Sequence, residues 1–187
     1  RKPFIVTIHD LILLHYPSRD ASTLSAFMYE VKHYAYKKVL QHAIRDAKHI
    51  LTVSDFSKND IIETFDTDPH RITVTHLGLP DHTPIPPYTQ EKPYFLYVGV
   101  QYPHKNLVFL FELFERWNAQ RNYAFDLILA GPEGPFTETI KTTITELNTK
   151  SNREMITFIP HPSELSLAAL YRGATAFLFP SLYEGFG

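Results

Sequence analysis

Two short stretches of this sequence carry side chains suited to gripping a ligand that bears hydroxyls and phosphates. The first is Pro180-Ser-Leu-Tyr-Glu184-Gly-Phe-Gly187, a hydroxyl, a carboxylate and two glycines around an aromatic ring. Glu184 can accept hydrogen bonds from hydroxyls, and the glycines at 185 and 187 let backbone N–H groups approach a ligand with no Cβ in the way. The second is Gly99-Val-Gln-Tyr-Pro-His104-Lys105-Asn106, where a lysine stands beside free N–H groups at the positive end of a helix, a setting that suits a diphosphate. By residue type alone each has a plainer reading. The first is also an ordinary strand-to-helix turn, and Lys105 is also a solvated surface lysine.

Other chemistries are less well served. No G-x-G-x-x-G occurs, and Lys105 lacks both the glycine pattern and the following Ser or Thr of a Walker loop. His9-Asp10 ends a strand, where a catalytic imidazole, a sugar-binding pair or a satisfied structural histidine all fit. Ten histidines raise the question of a metal, yet no two are spaced i, i+4 and there is no cysteine, so no metal and no other cofactor is expected. Gly131-Pro-Glu-Gly134 is either a further ligand-facing turn or a steric requirement of the chain reversal.

The elements that must position these residues alternate. Phe4–Ile8, His49–Val53 and Arg71–Thr75 read as strands, with Leu11–Asp20 as a loop. A helix is expected from Ser22 to about Asp46, on the spacing Leu24, Phe27, Met28, Val31, Tyr34 and Ala35. A second should be capped by Ser54, with Asp55 in its first turn. Between His76 and Pro93 five prolines (80, 84, 86, 87 and 93) replace any periodicity, predicting a stiff extended linker. The alternation then resumes. Strands are predicted at Tyr94–Val98, Phe125–Ala130, Met155–Ile159 and Thr175–Phe179. Helices are predicted over Asn106–Asn118, from Pro135 onward, and from a Ser163 cap to Tyr171. The expected class is α/β, with parallel, doubly wound sheets on both sides of the linker. Loops at the carboxyl ends of such strands are where ligands bind. The predicted domains are 1–80, a linker over 81–93, and 94–187.

Bulk properties narrow the function. A length of 187 residues, 44% hydrophobic and 20% charged, describes a globular protein with a real core. A net charge of -2 gives no footprint for nucleic acid. The lack of cysteine fits a reducing compartment, and no apolar run is long enough to span a membrane. The chain opens on Arg1 and closes inside a motif, before the helix that should follow, which leads us to expect a fragment truncated at both ends.

Four segments together resemble the family 4 retaining glycosyltransferases of the GT-B fold (glycosyl transferases group 1). They are Val53-Ser-Asp-Phe-Ser-Lys-Asn-Asp-Ile61, Tyr97-Val-Gly-Val-Gln-Tyr-Pro-His-Lys-Asn-Leu107, Leu129-Ala-Gly-Pro132 and Phe179-Pro-Ser-Leu-Tyr-Glu-Gly-Phe-Gly187. They stand in that family's order and spacing over essentially the whole chain. The resemblance implies two Rossmann-like domains, both incomplete here, the second binding an activated nucleotide sugar. It implies that Lys105 contacts the donor diphosphate beside Gly99, and that Glu184, first carboxylate of a Glu-x7-Glu pair, contacts donor-sugar hydroxyls. Gly185, Phe186 and Gly187 would face sugar and phosphates through their backbone. Pro160 and His161, in the loop through Pro162, would lie near the base. His9 would lie near the reacting centre, with Asp10 and Ser54 facing the cleft. The family's second carboxylate would fall beyond Gly187, and its amino-terminal glycine-rich loop before Arg1.

Departures from the family pattern are Val100 where many members have arginine, His104 where a second basic residue often stands, and prolines at 160 and 162, which cannot donate a backbone hydrogen bond. On the resemblance, the expected function is transfer of a hexose, mannose or glucose, from a UDP- or GDP-linked sugar to a glycan or lipid-linked acceptor. The expected setting is the cytoplasm, with peripheral contact at the inner face of the membrane, and the isolated piece is expected to be inactive. The alternatives are a non-catalytic nucleotide-sugar-binding module and, less favoured by the motif spelling, a nucleotide-sugar epimerase. A glycosidase would need two carboxylates flanking the bond, and no such pair is signalled.

Overall fold

The computed structural model describes residues 2–19, 22, 24–78 and 85–187. They form two compact units, Arg1–Asp81 with Tyr183–Gly187, and His82–Leu182. The second predicted domain ran to Gly187; in the structure the last five residues pack with the first unit. Pro80 and Pro84 of the expected linker lie outside the described residues, as does the boundary between 80 and 81.

In the first unit, β1 (Ile5–Thr7), β2 (His49–Thr52) and β3 (Ile72–Val74) form a parallel sheet in the order β1-β2-β3. Thr7 pairs with Leu51, and Leu51 with Thr73. Parallel neighbours need crossover connections, supplied by α2 (Ala26–Asp46) and α3 (Asp55–Phe65). Their core gathers Ile8, Leu11, Leu40, Ile44, Ile50, Ile61 and Ile72. The Arg71 guanidinium donates to the carbonyls of Ile44 at 2.9 Å, Arg45 at 3.2 Å and Ala47, placing a cation on carbonyls left open at the end of α2.

Two expectations fail in this unit. The stretch from Leu11 is not wholly loop: α1 (Ile12–His15) forms a short turn of helix, started by Asp10, whose Oδ1 accepts the Ile12 N–H at 2.9 Å. The helix expected from Ser22 begins at Ala26 behind a Ser25 cap. Its apolar spacing marks the outward face: Phe27 is 75% exposed, and Met28, Val31 and Tyr34 are exposed with it. The inward face is carried by Leu40 and Ile44.

The second unit is doubly wound. Strands β4 (Tyr94–Val98), β5 (Asp126–Gly131), β6 (Ile156–Pro160) and β7 (Ala176–Phe177) lie parallel in the order β6-β5-β4-β7. Successive side chains of a strand point to opposite faces, so one face buries Tyr97, Leu127 and Leu129 under α4 (Leu107–Ala119) and α5 (Thr137–Ser151). The other buries Leu96, Ile128 and Ala130 with Leu170 of α6 (Glu164–Gly173). The end of the linker is fixed to this unit: the Tyr88 N–H donates to Ala169 O at 2.9 Å, and the Tyr88 ring meets Tyr94 edge-on at 5.8 Å.

Two corrections apply here too. Pro135 precedes α5 rather than opening it: the chain first turns, with the Thr137 N–H donating to Gly134 O at 3.0 Å, and helical bonding starts with the Ile140 N–H on Phe136 O at 3.1 Å. The strand expected over 175–179 is only Ala176–Phe177, both exposed; among the described residues β7 lies at the edge of the sheet, paired with β4. Among the described residues no helix is long and apolar enough to cross a membrane.

Candidate functional site

The carboxyl ends of β4, β5 and β6 meet at one end of the second sheet. Gly99 follows β4 with φ at +149°, a conformation open to glycine, and its N–H donates to Ala130 O at 3.0 Å. Gly131 lies against it, and the Gly131 carbonyl takes the His161 N–H at 2.9 Å. His161 sits just past Pro160 in a left-handed conformation and accepts the Glu133 N–H at its Nε2, 3.3 Å away. Three of the predicted donor-binding residues, Gly99, Pro160 and His161, thus stand at the ends of β4 and β6, on either side of β5.

Lys105 closes a turn of 3-10 helix, Pro103–Lys105, immediately before α4. It is not the solvated lysine that its residue type allows: it is 9% exposed, with Nζ 5.2 Å from the centre of the Phe179 ring. A cation facing an aromatic ring is attracted by the negative face of the ring. The turn is held by the His104 carbonyl, which accepts the Leu182 N–H at 2.8 Å, and by the Asn106 amide donating to Pro180 O at 3.4 Å. Beneath it the Gln101 amide donates to Gly99 O at 3.0 Å and accepts from Thr137 Oγ1 at 2.8 Å. Sequence reasoning missed this Gln101–Thr137 brace, since nothing in the spacing ties the two together.

The remaining predicted residues belong to the first unit, and the structure brings four of them together. A Cβ on Gly185 would lie 2.7 Å from the His9 carbonyl oxygen and 2.8 Å from Asp10 Cβ, so only glycine fits there without displacement. Ser54 caps α3 by accepting the Ser57 N–H at 3.1 Å, and its hydroxyl donates to the Gly185 carbonyl. Glu184 stands beside this contact. Phe186 is half exposed, its ring 6.3 Å from that of His76, and Gly187 has φ at +112°.

Four residues of the first unit were not singled out from sequence. Ser57, fully buried, lies 3.0 Å from both the His9 and Gly185 carbonyl oxygens with its hydroxyl. Asp60, one turn further along α3, accepts the Tyr183 hydroxyl and His15 Nε2, the latter at 2.9 and 3.1 Å. Burial first, and the Asp60 carboxylate second, push the Tyr183 phenol well above its usual range, so it stays a proton donor. The available signal was the spacing Ser54, Ser57, Asp60, which puts three polar groups on one helix face.

Residues 82–187 match the family described as Glycosyl transferases group 1, and residues 1–83 match Glycosyltransferase Family 4. The chain is 28% identical over 194 residues to an O-antigen chain mannosyltransferase B of Escherichia coli, covering 98% of this chain and 48% of the relative. It is 28% identical over 182 residues to the O-antigen chain mannosyltransferase RfbU of Salmonella typhimurium, covering 97% and 46%. It therefore spans about half the length of these curated relatives. Among solved structures, a TarM mutant of S. aureus in complex with Fondaparinux, alpha-GlcNAc-glycerol and UDP superposes with a TM-score of 0.67 at 16% identity, over 99% of this chain and 33% of that one. WaaG, a glycosyltransferase involved in lipopolysaccharide biosynthesis, superposes at 0.65 and 14% identity, over 97% and 51%. These structures share the expected α/β parallel-sheet fold. The chain belongs to the glycosyl transferases group 1 family.

Proposed function

We propose that the protein carrying this chain is a retaining glycosyltransferase. It moves a hexose from a UDP- or GDP-linked sugar to a glycan or lipid-linked acceptor, and mannose is favoured by the names of the two curated relatives. The observation that carries this reading is Lys105, a buried cation in the turn that follows the Gly99 end of β4, where the backbone of Gly99 meets Gly131 and Gly131 meets His161. An ammonium attracts a diphosphate by charge and can donate hydrogen bonds to its oxygens. The UDP named with the TarM structure is an anion of the required kind.

In the reaction, negative charge grows on the diphosphate as the glycosidic bond breaks. Lys105 and the N–H groups around Gly99 stabilise that charge where it develops, with no metal assigned a part. The base lies by Pro160 and His161. Glu184 orients the donor sugar through its hydroxyls, the backbone of Gly185, Phe186 and Gly187 faces sugar and phosphates, and His9 lies near the reacting centre with Asp10 and Ser54. A lipid-linked acceptor would be met at the inner face of the membrane, keeping the protein in the cytoplasm.

The test is transfer from labelled UDP- and GDP-sugars by the full-length protein, together with titration by UDP and GDP. Removing a charge-assisted contact costs about 1.5–3 kcal/mol, so Lys105→Ala should weaken diphosphate binding by about tenfold to a hundredfold. Binding without transfer would make the protein a nucleotide-sugar-binding module. Absence of binding to either diphosphate would overturn the donor-site reading.

A further inference from the structure

Glu184 stands between two residues that are each fastened to the amino-terminal unit. On its carboxyl side, the Gly185 carbonyl takes the Ser54 hydroxyl and lies 3.0 Å from Ser57 Oγ. On its amino side, the Tyr183 hydroxyl donates to Asp60 Oδ2. The Tyr183 ring is 9% exposed, boxed by His15 at 5.2 Å, Phe56 at 5.1 Å and Tyr16 at 5.9 Å. Asp60 is in turn held by His15 Nε2 and by the Thr64 hydroxyl at 3.2 Å. Its two oxygens have lone pairs for all three donors. Only the Tyr183 contact reaches the segment that carries Glu184.

We propose that Tyr183 and Asp60 form a latch that positions Glu184 for the donor sugar, with Ser57 fixing the opposite side and His15 orienting the Asp60 carboxylate. The proposal rests on the donor-site reading of Glu184 given above. A carboxylate on a free segment would have to be ordered each time the sugar binds, at the cost of backbone and side-chain entropy. Two anchored neighbours meet that cost during folding, so the carboxylate is preorganised when the donor arrives. None of Tyr183, Asp60 and Ser57 is assigned a contact with the substrate, so they are positioning residues, and their effect should appear in steps that need the sugar. The diphosphate is gripped by Lys105, and its binding should not depend on the latch.

The experiment uses the full-length protein with Tyr183→Phe, which keeps the boxed ring and removes only the hydroxyl, and with Asp60→Ala, Asp60→Asn and the double variant. Loss of a hydrogen bond to a charged group predicts a fall of about tenfold or more in kcat/KM for the nucleotide sugar. The Kd for UDP or GDP should stay within about twofold of the parent, a split that general loosening of the fold would not produce. Tyr183→Phe and Asp60→Ala should be non-additive, because either one opens the same contact. Asp60→Asn retains an acceptor for the tyrosine and should recover part of the loss. Full sugar transfer by both Tyr183→Phe and Asp60→Ala, in a protein that Glu184→Gln inactivates, would overturn the latch alone. Full activity of Glu184→Gln would remove the donor-site reading, and the latch with it. Should Tyr183→Phe fail to fold, Asp60→Asn and Ser57→Ala measured by the same split decide the matter.

Discussion

A Cβ placed on Gly131 would come within 2.3 Å of the Gly99 carbonyl oxygen, closer than any side-chain carbon can approach a backbone atom. The two strand ends therefore touch through their backbones alone. The same two carbonyls hold the neighbouring turns: Gly99 O takes the Gln101 amide at 3.0 Å, and Gly131 O the His161 N–H at 2.9 Å.

Gly131→Ala should be destabilising even though Gly131 has no positive φ, because the obstacle is backbone and cannot swing aside. Forcing a methyl into a packed site costs about 1–3 kcal/mol. Gly134→Ala, three residues on, meets nothing within 4 Å and should change stability by no more than about 0.5 kcal/mol. Urea denaturation of the pair checks this. Equal stabilities would show that the Gly99 loop can yield.

Asp126 gives a pH signature. Its Oδ2 accepts the Gln90 amide at 2.8 Å, while Oδ1 is buried without a hydrogen bond among the described residues, 3.8 Å from Lys92 Nζ. Burial raises the carboxyl above its ordinary 3.8, and the nearby lysine offsets this only in part. The folded state then holds the proton more tightly than the unfolded chain. Stability is lost as pH rises from about 3.8 through the raised folded value, and the loss persists at higher pH. Asp126→Asn keeps an acceptor for Gln90 and cannot ionise. Its melting temperature should exceed the parent's near neutrality, and the two curves should converge on acidification. A parent more stable than the variant at neutral pH would mean that the Lys92 attraction outweighs burial.

Where sequence reasoning succeeded, one local pattern sufficed. The run Tyr94–Val98 is apolar throughout because its strand is covered on both faces, and Ser54 and Ser163 are caps by residue type and place. Where it failed, the deciding partner was distant. The period of Phe27, Met28, Val31 and Tyr34 reveals a helix but not which side faces the sheet. Lys105 faces the ring of Phe179, much later in the chain, and the roles of Ser57 and Asp60 depend on where Tyr183 and Gly185 come to rest. A hydroxyl and a carboxylate on an exposed-looking helix turn carry no mark of a partner that arrives from the far end of the chain.

The two serine caps should differ in cost. Ser163 accepts the Ser166 N–H at 3.1 Å and touches the neighbouring Ser166 hydroxyl at 2.8 Å, so Ser163→Ala should cost about 1 kcal/mol. Ser54 caps α3 with a bond of the same length, 3.1 Å, and also donates to Gly185 O. Ser54→Ala therefore loses the cap and a hydrogen bond worth roughly a further 0.5–1.5 kcal/mol, with Ser57 left as the remaining donor to that carbonyl. Equal losses in denaturant titrations would show that Ser57 compensates in full.

The same helix-face reasoning gives a last contrast, within α2. Leu40 is 7% exposed in the core of the first unit, whereas Phe27, the larger side chain, is 75% exposed on the outward face. Residue size alone would rank Phe27→Ala as the costlier change. Position reverses the order: truncating a buried leucine removes its transfer energy and leaves a cavity, about 2–5 kcal/mol, while an exposed ring loses little on truncation. Leu40→Ala should therefore lower the melting temperature by many degrees and Phe27→Ala hardly at all. If Phe27→Ala proved as damaging as Leu40→Ala, the outward face of α2 would be a buried surface in the full-length protein, and the stripe Phe27, Val31, Tyr34 would have to be counted as core.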